Sequence, residues 1–283
     1  NDDQMIYAKV STGHKAGGFN DSFNGSNIPE EFDPEKVTVY ELGSRNVIQL
    51  FNSAATLNAT AFYYDYEDQV LQDLICLGFD LSSGDCNSFS LVNRNLGKSE
   101  IIGLELDSSM RLTDTLGLDI VATFLDSEIK DGVVADVRAQ DFSQGGQTPL
   151  INLSGNQLPL QSDFEMSLRL HQALELGRGM FDWQLLVNYR DDYYLTQFNE
   201  NDVVSLDGTT RTALEAGFPD RQEGFVTVNL GLGYSMDNGW RLEAFGNNLT
   251  DEQATQKAQV GSGLNLRFLN DARTYGLRAV KRF

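Results

Sequence analysis

The chain lacks long apolar runs and is poor in proline, cysteine, histidine and positive charge. Its 283 residues include 5 Pro, 2 Cys and 2 His. A membrane-spanning helix needs about 18 to 20 consecutive apolar residues, so the short apolar runs exclude a helical membrane protein. The 21 Lys and Arg residues face 41 Asp and Glu residues, giving a net charge of −20. Nucleic acid is therefore excluded as a partner, because its phosphates require a basic surface.

The two cysteines, Cys76 and Cys86, lie in one polar segment. Their spacing fits neither a zinc-binding pair nor a redox C-x-x-C motif. We predict a local disulfide between them, with two free thiols as the alternative. A disulfide would imply an oxidising compartment outside the cytoplasm. Residues 1–4 resemble no secretory signal, so we expect either that a signal was removed or that the chain is a fragment.

Apolar and polar residues alternate along many segments. Between residues 225 and 234 the even positions are valine, leucine and tyrosine, and most odd positions are threonine, asparagine or glycine. A period of two predicts a β-strand with one apolar face. Ten segments have strand character: 5–11, 37–50, 54–69, 97–112, 116–125, 164–171, 180–195, 225–234, 240–249 and 273–283. We therefore predict an all-β protein with about ten long strands.

The connections between these strands are alternately short and long. Tight turns are predicted at 51–53, 112–115, 176–179 and 237–239. Long polar loops are predicted near 13–36, 70–96, 130–159, 196–223 and 250–272. Short turns on one rim and long loops on the other are typical of a transmembrane antiparallel β-barrel, which satisfies its backbone hydrogen bonds in lipid.

The two faces of the predicted barrel differ in chemistry. The apolar face would meet lipid, and strand-end aromatics would form interfacial girdles. The girdle residues are predicted to be Tyr7, Tyr63, Tyr66, Trp183, Tyr193, Tyr194, Tyr234 and Trp240. A water-filled lumen would hold the polar face, with Glu105, Asp107, Asp119, Glu165, Arg169, Asn188, Arg190, Arg241, Glu243, Arg278 and Arg282.

The sequence offers little for catalysis or metal binding. His14 and His171 are far apart, and neither stands in a nucleophile motif. The acidic clusters lack the spacing of a calcium loop, so solvated loops are the better interpretation. We predict no enzyme activity, no cofactor and no metal site.

Four segments resemble motifs of TonB-dependent outer-membrane receptors. YAKVSTGHKAGGFN at 7–20 is similar to a strand and rim motif of that family, with His14 where an aromatic is more usual. FDPEKVTVYELGSR at 32–45, FGNNLTDE at 245–252 and RTYGLRAVKRF at 273–283 resemble later strand motifs in the same order. The resemblance covers the whole chain and points to the C-terminal part of the receptor barrel.

The resemblance implies that residues 1–283 are one portion of a larger barrel. Receptors of this family have about 22 strands around an N-terminal plug, so the plug and the earlier strands would be missing. A stand-alone barrel of about ten strands is the alternative, since an even number is permitted. Phe283 would be the aromatic terminus that the family presents to the barrel-assembly machinery.

The resemblance also implies a function. It predicts energy-coupled uptake of a scarce ligand, first a ferric siderophore and then haem, vitamin B12 or an oligosaccharide, through a TonB complex that acts on the plug. The protein would lie in the outer membrane of a Gram-negative bacterium, in contact with lipid and lipopolysaccharide. A passive pore or an adhesin is the alternative. The predicted ligand contacts are Lys15, Asn20, Tyr194, Gln197, Asp271 and Arg273.

Overall fold

The computed structural model describes residues 3–20, 30–50, 53–79, 86–95, 97–141, 148–261 and 264–282. Ten long strands form one sheet. We label them β1 Gln4–Lys15, β2 Glu35–Leu50, β3 Ser53–Glu67, β4 Lys98–Arg111, β5 Leu116–Asp131, β6 Phe164–Glu175, β7 Gly179–Arg190, β8 Phe225–Met236, β9 Trp240–Asn247 and β10 Thr274–Lys281. The prediction of an all-β fold with ten long strands is confirmed.

Each long strand pairs antiparallel with the next one along the chain. Tight turns join β4 to β5, β6 to β7 and β8 to β9, as the sequence predicts, whereas residues 51 and 52 of the turn predicted at 51–53 lie outside the described residues. At the last of these, Gly239 has a φ of 84°, a value that residues with a Cβ rarely adopt. Within the described residues, β1 and β10 have a sheet partner on one side only.

The strand register separates an apolar face from a polar face. Leu185 on β7 lies opposite Leu230 on β8 and Leu170 on β6, all on the apolar face. The next residue, Leu186, lies opposite Asn229 and Arg169 on the polar face. Exposed side chains on the apolar face include Ile6, Val10, Leu42, Ile102, Leu104, Leu232, Leu242 and Leu277. The predicted alternation is therefore present in the sheet.

The predicted aromatic girdles require side chains on the apolar face, and for three of the predicted residues this is wrong. Tyr63 lies on the apolar face, but Tyr7 and Tyr66 lie on the polar face, and Tyr193 is buried with 1% exposure. The Tyr7 ring covers Gly43, where an added Cβ would clash with it. Because Gly43 on β2 has no side chain, the Tyr7 ring fits over it on the polar face. A position near a strand end therefore does not by itself decide which face an aromatic side chain lies on.

Five long connections carry most of the short secondary structure. Their described residues contain six strand pairs, Gly18–Phe19 with Glu31–Phe32, Val70–Phe79 with Cys86–Asn95, Val133–Ala135 with Leu150–Asn152, Tyr193–Tyr194 with Arg221–Gln222, Val203–Val204 with Thr210–Arg211, and Thr255–Gly261 with Leu264–Leu269. A 3-10 helix spans Val137–Ala139. No helix in the described ranges is long and apolar enough to cross a membrane.

The long connections pack together into what we call the loop layer, made of the described parts of residues 70–96, 130–159, 193–223 and 250–272. Its core contains the buried side chains of Val92, Val134, Val137, Leu153, Leu158, Phe198, Phe218 and Val260, with Ile101 and Ile129 from the sheet. The sequence predicts these segments as polar loops. They instead enclose a hydrophobic core because isolated apolar residues from distant segments meet there.

Candidate ligand-facing surface

The polar face of β4 to β9 forms an open groove of about 600 Å³. This volume is within the range of small-molecule sites, roughly 300 to 1,000 Å³. The side chains that line it include Asp107, Ser109, Asp119, Arg169, Gln184, Asn229 and Asn247. Carboxylate, hydroxyl, amide and guanidinium groups thus share one concave surface.

Asp119 is the centre of a hydrogen-bonded cluster in this groove. Its Oδ1 accepts a bond from Ser109 Oγ at 2.6 Å, and its Oδ2 accepts from Arg169 Nε at 2.8 Å. His171 Nδ1 lies 3.4 Å from Asp119 Oδ2. A Cβ at Gly117 would clash with the imidazole ring of His171, so glycine is needed to seat it. The Ser109 hydroxyl and the His171 ring both approach the Asp119 carboxylate, and the hydroxyl donates to that carboxylate and not to the histidine, which differs from a catalytic triad.

A second charged cluster lies beside the first on the same face. Arg241 binds Asp182 in a bidentate pair, with Nη1–Oδ2 at 2.7 Å and Nη2–Oδ1 at 2.8 Å. Its Nε donates to Glu243 Oε1 at 2.8 Å. Arg278 Nε lies 3.5 Å from the other oxygen of Glu243. These ion pairs fix the orientation of long side chains on a solvated wall.

An aromatic stripe follows β3 on the polar face. The rings of Phe62 and Tyr64 are 5.0 Å apart, and those of Tyr64 and Tyr66 are 6.3 Å apart, between centroids. All three side chains pack against the core of the loop layer. This stripe was not predicted, although aromatics at every second position of one strand are a sequence signal for it.

The six predicted ligand contacts do not form one cluster. Lys15 ends the edge strand β1, where it lies exposed opposite Glu35. Arg273 precedes β10, the other edge strand, and its Nη2 lies 3.0 Å from Asp251 Oδ2. Asp271 is exposed, and its carbonyl oxygen accepts a bond from Asn248.

The other three predicted contacts belong to the loops. Asn20 is buried and exchanges hydrogen bonds of 2.9 and 2.8 Å with the backbone of Asn93. Gln197 is also buried, and its carbonyl oxygen accepts from Asn156 Nδ2 at 2.9 Å. Tyr194 is half-buried and pairs with Arg221. A ligand-binding role for these residues stays a prediction.

Two further predictions concern side chains that the structure does not describe. Cys76 and Cys86 belong to paired strands, with Cys76 opposite Phe89 in the backbone register, but their side chains lie outside the described residues. Phe283 also lies outside them. The disulfide and the assembly role of the terminus stay predictions. Among the side chains that are described, no group of three or more His, Cys, Asp or Glu is placed to hold a metal ion.

A meandering antiparallel sheet with one exposed apolar face and one charged, aromatic face defines the wall of a β-barrel with a polar interior. The family described as "TonB dependent receptor-like, beta-barrel" matches residues 1–249. The chain belongs to this family of receptors, as its motifs indicate.

Known proteins support the same fold. The pesticin receptor of Yersinia pestis is 22% identical over 277 residues, which cover 98% of this chain and 33% of that protein. The ferric yersiniabactin uptake receptor FyuA of Yersinia pestis matches with a TM-score of 0.67 and 20% identity, covering 99% of this chain and 35% of the receptor. BauA, the ferric preacinetobactin receptor of Acinetobacter baumannii, matches with a TM-score of 0.63 and 17% identity, covering 99% and 34%. The chain spans about a third of the length of each relative.

Proposed function

We propose that this chain is part of the wall of an outer-membrane receptor that imports a ferric siderophore by energy coupling in a Gram-negative bacterium. The observation that carries the proposal is the family match over residues 1–249, together with a sheet that has a charged groove and an aromatic stripe on one face. The names of FyuA and BauA, which describe ferric-siderophore receptors, support the ligand class.

We infer that residues 1–283 supply the C-terminal strands of a larger barrel. The chain spans about a third of its relatives, and in the part of the chain that the structure describes the edge strands β1 and β10 are each paired on one side, which leaves backbone groups for further strands. In lipid each unpaired backbone group costs several kcal/mol, so a barrel wall needs both edges paired. The remaining strands, a plug and a TonB complex acting on that plug complete the proposed transporter.

The surroundings of the proposed wall follow from its two faces. The apolar face lies against outer-membrane lipid, with the long connections on the side of the lipopolysaccharide. Phe283 is the proposed contact for the barrel-assembly machinery. The polar face lines the lumen, where tyrosine rings can stack on the planar groups of a chelator.

The test uses the complete receptor gene in a siderophore-deficient, iron-starved strain that lacks its own receptors. We expect uptake of radioactive iron supplied as ferric yersiniabactin or ferric preacinetobactin, and loss of uptake when a protonophore is added. Uptake of neither complex, with energy-independent entry of small solutes instead, would favour the passive pore.

Adjacent tyrosines on β3 provide a matched test of the ligand-facing surface. Tyr64 lies on the polar face and Tyr63 on the apolar face. Loss of one aromatic contact is worth about 0.5 to 1.5 kcal/mol, so we expect Tyr64→Ala to weaken siderophore binding roughly two- to tenfold. Tyr63→Ala is the control and should retain the affinity of the unmodified receptor. Equal affinities in the two variants would remove the stripe from the proposed site.

A further inference from the structure

A buried carboxyl group in the loop layer has an unusual environment. Asp220 is 3% exposed. Its Oδ2 accepts a hydrogen bond from Thr196 Oγ1 at 2.7 Å and a longer one from the Glu200 backbone N at 3.4 Å. Its Oδ1 has no hydrogen-bond partner among the described residues. A buried charged oxygen without a partner is costly, because the water it has lost is not replaced.

The nearby positive charge, the guanidinium group of Arg138, is hydrogen-bonded to groups other than Asp220. Arg138 donates to both carboxylate oxygens of Asp136, at 2.8 and 2.9 Å, and to the carbonyl oxygen of Asn201 at 2.9 Å. Its guanidinium carbon also lies 4.1 Å from the centre of the Phe198 ring. Arg138 therefore attracts Asp220 only through space. Burial prevails over this attraction and over the Thr196 and Glu200 hydrogen bonds, and it raises the pKa of Asp220 to about 6.

Asp220 also lies where separate connections meet. Its carbonyl oxygen accepts from Leu195 N at 2.7 Å, which ties the two ends of the 193–223 connection together. On the preceding residues, Arg267 donates to the carbonyl oxygen of Pro219, and Asn265 Nδ2 donates to that of Gly217 at 3.2 Å. A negative charge on Asp220 therefore lies at the junction between the 193–223 connection and the hairpin that ends at Leu269.

We propose that Asp220 acts as a proton-operated latch. In its protonated form it keeps the long connections packed together in the loop layer, which we call the closed layer. When Asp220 ionises, this packing loosens, which we call the opened layer. The latch is a regulatory device beyond the proposed import function and needs no ligand. Phe62, Tyr64 and Tyr66 pack under the layer, so loosening exposes the aromatic stripe.

The direction of the pH effect follows from the two states of the carboxyl group. In the opened layer Asp220 has its ordinary pKa near 3.8, and in the closed layer its pKa is about 6. Between these values the closed layer binds the proton more tightly, so closure is strongest below about pH 4 and is lost as pH rises towards 6. A difference of about two pH units corresponds to roughly a hundredfold change in the opening equilibrium.

Hydrogen exchange of the complete receptor in lipid nanodiscs tests the latch. Exchange is measured by mass spectrometry from pH 4 to pH 8 and corrected for the intrinsic pH dependence of exchange. We expect peptides from 130–159 and 193–223 to open on the order of a hundredfold more between pH 4 and pH 7, while peptides from β7 and β8 keep constant protection.

Three variants separate the latch from a merely structural role. Asp220→Asn should keep the layer protected at every pH, whereas Asp207→Asn, at an exposed position of the same connection, should retain the pH profile of the unmodified receptor. Thr196→Val removes a hydrogen bond that favours the ionised carboxylate, so the opening midpoint should rise. An unchanged pH profile in Asp220→Asn would overturn the proposal. An opening midpoint that is unchanged in Thr196→Val would also overturn the proposal. This second variant keeps the test possible if Asp220→Asn does not fold.

Discussion

The sheet and the loop layer use the same residue types in opposite ways. On the sheet, large apolar side chains such as Leu277 are exposed, and charged groups such as Arg241 pair on a solvated wall. In the loop layer, Phe198 and Leu153 are fully buried, and the ion pair of Arg138 with Asp136 is buried with them. Both regions contain paired strands, but the layer also has a core of side chains from distant segments. A substitution in one region should therefore lower the stability of that region more than the stability of the other.

The largest effect is expected where the buried ion pair of the loop layer is broken. Arg138→Met leaves Asp136 buried without its partner, which typically costs about 3 to 5 kcal/mol. Combining it with Asp136→Leu should restore most of the loss, because the uncompensated charge is gone. Hydrogen exchange should show reduced protection of backbone amides in the loop layer alone. A uniform loss across the ten strands would mean that layer and sheet unfold as one unit.

The next largest effect is expected from a charge on the apolar face of β7, compared with the same charge on its polar face. Leu185→Arg places a charge on the apolar face and should lower the free energy of unfolding by roughly 2 to 4 kcal/mol at mid-membrane depth. Leu186→Arg, the matched control one residue later on the polar face, should cost less than about 1 kcal/mol. Urea unfolding of the complete receptor in lipid vesicles measures both. Similar losses would contradict the assignment of faces.

Asn248 joins the sheet to the last connection and should show an intermediate effect. It is buried with a φ of 49°, and its Nδ2 donates to the carbonyl oxygens of Glu252 and Asp271, each at 2.9 Å. Asn248→Asp keeps the shape and the tolerance for positive φ but points an oxygen at two carbonyls. We expect a loss of about 1 to 3 kcal/mol in urea unfolding. Asn247→Asp, at the exposed neighbouring position, is the control and should change little.

The smallest effect is expected at the solvated ion pairs. Arg241 is about one-third exposed, and exposed pairs contribute about 0 to 1 kcal/mol. Arg241→Gln should therefore lower the free energy of unfolding by at most about 1 kcal/mol, and the difference should shrink in 1 M salt. A loss that is large and independent of salt would show that this cluster is shielded from solvent in the complete receptor.

Local sequence patterns predicted the sheet well because a strand has a period of two. Residues 225–234 alternate on both faces as predicted, and Asn-Gly at 238–239 forms the tight turn. Strand ends were less accurate: β1 continues to Lys15, four residues past its predicted end. Polar residues such as Thr12 and His14 weaken the pattern there, but the β2 backbone still pairs with them.

The sequence by itself determined the fold class, the order of the strands, the two faces and the family, because these depend on residues within one or two strand lengths. Only the tertiary structure decided what the long connections do. Asp220 meets Thr196 across 24 positions, and Arg138 meets Asn201 across 63. Neither contact leaves a periodic signal, since each depends on how separate connections pack over the sheet. Burial and partner choice at such sites come from packing between segments, which no local pattern encodes.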